Sequence, residues 1–160
     1  MITIEEVKTK KQQKEFIDFP LKLYKGNPYY TPPLYMDEKK IFRKDFVYND
    51  MCESVHFNAY KDGKMAGRIS GILQRAANEK TGEKQVRFSH FDVIEDEEVA
   101  HELLKTVENW AKQIGMNEMI GPLGYSDLER EGLLIEGFDY PATFRIAFSD
   151  FACAIAFWSS

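Results

Sequence analysis

The amino-acid sequence predicts a single α/β domain built on one mixed sheet, and three stretches carry that prediction. "SVHFNAYKDGKMAGRISGILQ" (54–74) sets two extended runs on either side of Asp62-Gly63, a dipeptide suited to tight hairpins, so antiparallel pairing is expected there. Residues 97–114 place Val99, Leu103, Leu104, Val107, Trp110, Ala111 and Ile114 on one stripe at helical spacing, with Gly115 positioned to stop the helix. Extended segments flank that helix, "QVRFSHFDVI" (85–94) before it and "NEMIGPLG" (117–124) after it. A helix that crosses between two strands favours parallel pairing, here in a sheet that also holds an antiparallel hairpin.

The remaining elements follow in chain order. "ITIEEV" (2–7) alternates apolar and polar residues and predicts a strand. Thr9 is placed to cap a helix carrying Phe16, Ile17, Phe19 and Leu23, which Pro20 is expected to end or kink. "YKGNPYYTPPLYMDEKKIF" (24–42) holds Pro28, Pro32 and Pro33 among four tyrosines; it predicts an ordered wrap followed by a short helix near 37–42. Gly67 and Gly71 in the second hairpin strand predict a bulge or a close backbone approach. Residues 75–84 are expected to form a polar loop. Strict alternation along 85–94 would put Val86, Phe88, His90, Asp92 and Ile94 on one face, opposite Arg87, Ser89, Phe91 and Val93.

Composition narrows the function classes. The chain has 160 residues, 44% of them hydrophobic and 29% charged, with a net charge of −5. An acidic balance disfavours nucleic acid, whose phosphates call for a basic face. No apolar window approaches the length of a membrane span. Cys52 and Cys153 form no metal-like spacing, and with His56, His90 and His101 alone no metal site is expected. Two reduced thiols and no leader-like start suit a cytoplasmic protein.

Four blocks carry a resemblance to a known family: "FIDFPLKLYKGNPYYTPPLYMDEKK" (16–40), "AYKDGKMAGRISGI" (59–72), "RFSHFDVIEDEEV" (87–99) and "GPLGYSDLEREGLLIEGFD" (121–139). Over about residues 1–139 the chain resembles uncharacterised bacterial proteins of the GCN5-related N-acetyltransferase (GNAT) type. The resemblance implies a central mixed sheet flanked by helices. It also implies acetyl-CoA or another acyl-CoA lying where the strand before the main helix splays from its parallel neighbour, beside Val93 and Ile94. In such enzymes the pyrophosphate rests on a Gln/Arg-x-x-Gly-x-Gly/Ala loop at the helix start, where small residues let several N–H groups converge on the anion. Here "VIEDEEVAHE" (93–102) contains no glycine, lysine or arginine, and Glu95, Asp96, Glu97 and Glu98 stand in a row. Asp96 is the natural N-cap, so the acids are expected to stabilise the helix start and to oppose a diphosphate there.

The resemblance further implies a carboxylate base and a tyrosine acid, for which the matching positions are Asp92 and Tyr125. Beside those roles stand a strand-end carboxylate and a packing tyrosine. Asp127, Arg130, Glu131 and Glu136 crowd the segment after a strand's C-terminal end, where ligands of open α/β sheets bind. They read equally as a polar ligand pocket or as an ion-pair network pinning the segment to the sheet. Ser126 followed by Glu129 has capping-box spacing and predicts a short helix.

From residue 140 onward the resemblance lapses. "TFRIAF" and "FACAIAFW" could close the sheet as a hairpin, or residues 140–160 belong to a truncated or frame-shifted tail whose apolar run favours self-association as a homodimer. Two functional readings result. One is an acyl-CoA-dependent N-acyltransferase acting on a small-molecule amine. The other is a non-catalytic GNAT-like module that binds a small ligand or a protein.

Overall fold

The computed structural model describes residues 1–126 and 129, together with the strand segments 133–134, 151–152 and 154–157. In chain order the elements are β1 (Ile2–Glu6), α1 (Lys10–Leu23), α2 (Tyr35–Lys40), β2 (Cys52–Lys61), β3 (Lys64–Gln74), α3 (Arg75–Thr81), β4 (Gln85–Val93) and α4 (Glu97–Gln113). β5 (Glu118–Gly121), β6 (Leu133–Leu134), β7 (Phe151–Ala152) and β8 (Ala154–Phe157) follow. The main sheet runs β1-β2-β3-β4-β5-β8, and β6 pairs with β7 separately. Only β4 and β5 are parallel within the main sheet, which is the pairing the α4 crossover demands.

Local chemistry explains most boundaries. At the start of α1 a capping box closes: the Gln12 amide donates to Thr9 Oγ1 at 3.2 Å, and the Thr9 amide to Gln12 Oε1 at 2.9 Å. Pro20 does not end this helix, which runs on to Leu23 with Pro20 itself buried. The stretch read as a loop at 75–84 is helical through Thr81. Its Ala-Ala, Glu and Lys residues favour helix, and Gly82 closes it at φ +75° while donating to Asn78 O. No side chain of α3 is buried, so no apolar stripe announced it.

α4 lies on one face of the sheet. Its Val99, Leu103, Val107 and Ala111 pack with Phe57, Ala59, Ala66, Ile69, Leu73, Val86 and Phe88 into one core. Gly71 makes that approach close: a Cβ there would stand 2.8 Å from the Trp110 ring. α1 covers the other face, where Phe16 is fully buried.

β4 departs from strict alternation. Between Arg68↔Asp92 and Ser70↔Ser89 the register advances two residues on β3 and three on β4, so a bulge intervenes. His90 sits in it at φ +48°, a left-handed backbone that a β-strand residue rarely adopts. Val86 and Phe88 therefore face the α4 core, whereas His90 and Asp92 turn to the α1 face, correcting the shared face expected from alternation.

β8 joins the sheet edge antiparallel to β5, from Glu118↔Phe157 to Gly121↔Ala154. The proposed partner strand "TFRIAF" lies outside the described residues, as do the side chains behind the expected self-association.

Candidate functional site

A proline sets up the polar centre of the α1 face. Pro20 has no N–H to give the carbonyl one helical turn back, so Phe16 O has no helical donor. The buried Arg68 of β3 takes that acceptor instead, Nη1 donating at 3.1 Å while the guanidinium lies 4.9 Å over the Phe16 ring. The same guanidinium donates through Nε to Asp92 Oδ2 at 2.8 Å and through Nη1 to Glu38 Oε2 of α2 at 3.1 Å. Tyr24, just past the end of α1, donates its hydroxyl to Asp92 Oδ1 at 3.0 Å. Both oxygens of the Asp92 carboxylate are thus held. Burial, then the neighbouring Asp92 charge, pushes the Tyr24 phenol upward and keeps it a donor.

Two histidines adjoin this group. Ser70 Oγ lies 2.7 Å from His56 Nδ1 and 3.0 Å from His90 Nδ1, and His90 Nε2 is 3.8 Å from Glu38 Oε1. Burial drives both imidazoles down to about 3, so both are neutral at ordinary pH. Alternation alone missed this cluster because the histidines come from different strands and only the β2–β3–β4 register joins them. The polar residues at alternating positions 56, 68, 70 and 92 of buried strands were the available signal.

The edge of β4 opens beside this cluster. β4 pairs with β5 at Gln85, Val86 and Arg87, and Leu123 N–H still donates to Phe88 O at 2.8 Å. From Ser89 to Val93 no described strand pairs with β4 on that side. Of the expected cofactor-facing residues, Val93 packs against the core, while the Ile94 amide turns to Ala66 O at 2.9 Å. The Ile94 side chain lines a slot of about 300 Å³ with Phe19, Leu23, Met65, Glu15 and Lys22. This slot lies next to the Tyr24–Asp92 contact in sequence on both of its walls.

The start of α4 is closed from within. Asp96 is the N-cap, its Oδ1 accepting the Val99 amide at 3.2 Å, as expected. Lys61 of β2 also pairs with Asp96, a cation that the 93–102 segment alone did not reveal. That ammonium, and then the Val99 amide, hold the Asp96 carboxyl below its usual range.

Tyr125 stands elsewhere. It is 1% exposed, stacked on Tyr48 and edge-on to Phe46, with its carbonyl accepting from Gln74. Arg68 and Gln74 are six residues apart on β3, which puts Tyr125 roughly 20 Å along the sheet from Asp92 at about 3.3 Å per residue. The two predicted acid–base partners do not converge. Glu129 accepts the Tyr125 amide at 2.9 Å and is pushed up by burial. Asp127, Arg130, Glu131 and Glu136 lie outside the described residues. Cys52 has its thiol pushed up by burial, unlike a reactive nucleophile. Among the described residues there is no cluster of metal-binding side chains and no helix long and apolar enough to cross a membrane.

This mixed sheet has counterparts among solved structures. A tandem GNAT protein of the clavulanic acid biosynthesis pathway superposes with a TM-score of 0.61 at 11% identity, over 75% of this chain and 36% of that one. An N-acetyltransferase from Staphylococcus aureus Mu50 gives 0.54 at 14% identity, over 75% and 69%. The fold is GNAT-like. A third GNAT-like neighbour, an N-acyl amino acid synthase from uncultured soil microbes, gives 0.52 at 12% identity, over 75% and 70%. No family model matches the chain. Among curated proteins, Protein YghO of Escherichia coli K12 is 32% identical over 132 residues, and the bacterial ceramide synthase of Caulobacter vibrioides is 30% identical over 142. Those matches take in 82% and 88% of this GNAT-like chain but span only 34% and 37% of the relatives' lengths.

The donor group implied by the fold fits this chain in part. The β4 edge from Ser89 to Val93, which no described strand pairs, would suit the amides of a pantetheine arm, whereas the start of α4 does not suit a diphosphate.

Proposed function

We propose that this chain is the acyl-transfer unit of an N-acyltransferase that moves an acyl group from a thioester donor to an amine. The observation that carries the reading is the edge of β4 from Ser89 to Val93, which no described strand pairs, running beside a carboxylate fixed by Arg68 and Tyr24. A thioester laid along that edge brings its carbonyl to the bulge. The amine nitrogen forms a bond to that carbonyl carbon, the carbon–sulfur bond breaks, and the thiolate leaves to solvent. Asp92, ion-paired with the Arg68 guanidinium, orients the amine and accepts its proton. The names of two similar proteins, a ceramide synthase and an N-acyl amino acid synthase, support an amide product. The slot in which Phe19, Leu23, Met65 and Ile94 stand beside Glu15 and Lys22 supports an aliphatic portion on one of the two substrates.

The test has two stages. Acyl thioester at one hundred times its Kd should stabilise the folded chain by about 2.7 kcal/mol in a thermal unfolding scan. Release of free thiol in the presence of an amine panel should then fall at least a hundredfold in Asp92→Asn, the lower range for loss of a general base. No stabilisation at millimolar thioester overturns the reading. The second reading, a non-catalytic GNAT-like module, is favoured by the double commitment of the Asp92 oxygens. Thioester binding without amine-dependent thiol release would select it.

A further inference from the structure

We infer that this site recognises its acyl donor through the thioester and the amides of a pantetheine arm alone, with no recognition of a diphosphate beyond them. The inference rests on the acyl-transfer reading above and narrows its donor. Anion capture at a helix start needs free N–H groups, a backbone that a phosphate can approach, and an absence of competing negative charge. The start of α4 falls short on these counts. The Val99 amide is taken by the Asp96 carboxylate, and the Asp96 amide turns back to Ile94 O at 2.6 Å. The chain carries a Cβ at every position from 83 to 114, so no glycine admits a phosphate to the backbone. Lys61, which could have met an anion, is paired with Asp96, and Glu97 and Glu98 follow in the first turn.

The edge of β4 is different in kind. It offers strand-like backbone to a ligand that is itself a chain of two amides, and such recognition requires no charge. Selection therefore rests on the amide-bearing arm, and whatever lies beyond it extends past α4 into solvent. Donors that share the arm but differ in their far end are equivalent to this site.

Calorimetric titration of the chain with S-acetylpantetheine and with acetyl-CoA at 0.15 M salt compares the two directly. The dissociation constants should agree within threefold. Asp96→Asn keeps a capping side chain and removes one negative charge, so the variant folds as the parent does. With the far end of the donor in solvent beyond α4, the variant should bind acetyl-CoA and S-acetylpantetheine each within threefold of the parent. A preference for acetyl-CoA beyond threefold in the parent chain overturns the inference and leaves the acyl-transfer reading intact. An Asp96→Asn chain that separates the two thioesters by more than threefold overturns it as well. Binding of neither thioester overturns the inference and the acyl-transfer reading together.

Discussion

Arg68 is buried at 4% exposure with a single positive charge and three acceptors, the carboxylates of Asp92 and Glu38 and the Phe16 carbonyl. Removing it strands two carboxylates in a dry place. Arg68→Met should therefore cost about 3–5 kcal/mol, seen as a lowered urea midpoint at unchanged slope. Pro20 and Arg68 should also be coupled, because Pro20→Ala supplies an N–H that competes for the Phe16 carbonyl. A double-mutant cycle between Pro20→Ala and Arg68→Met should give an interaction energy above about 0.5 kcal/mol, and strict additivity would remove the link. Asp92 could be singled out through the family resemblance, but its partners could not. Tyr24 and Arg68 stand 68 and 24 residues away in the chain, and only the folded register brings them to it. Tyr125 carried two readings, an acid implied by the resemblance and a packing residue, and it lies buried between Tyr48 and Phe46 as a packing residue does.

Among the elements, α4 was legible because its stripe is buried, and α3 was not because nothing in it is. The fit of α4 on β3 makes a sharp prediction. Gly71→Ala drives a methyl to 2.8 Å from the Trp110 ring and should cost about 1–3 kcal/mol by calorimetry, since the helix must shift away from the sheet. Gly82 has open space around its Cβ position but lies at φ +75°, so Gly82→Ala should cost less, through backbone strain alone. At the other end of α4, Asp96→Ala should lose about 1 kcal/mol that Asp96→Asn retains, because the asparagine still accepts the Val99 amide.

For the whole molecule, the buried imidazoles tie stability to acidity. His56 and His90 are held down to about 3 in the fold and rise to about 6.5 when the chain unfolds. Their contribution is complete above pH 6.5 and is lost as pH falls toward 3, because the unfolded chain then binds protons that the folded chain refuses. Each should lower unfolding free energy by about 1.4 kcal/mol per pH unit across that window, and His56→Gln should halve the slope in urea titrations. The mixed sheet was legible through the hairpin and the crossover helix, which fix one antiparallel and one parallel pairing. The polar cluster was not, because it depends on a departure from alternation that no local pattern marks. That departure has a further consequence for β4. Three steps carry it from Ser89 to Asp92 while β3 takes two from Ser70 to Arg68, so the strand holds one residue more than its ladder can use. The surplus is spent on a histidine. Excising His90 would let the two strands run commensurately, with Phe91 still against the core and Asp92 still opposite Arg68, and the protein would keep its architecture while losing the slack that the extra residue gives β4.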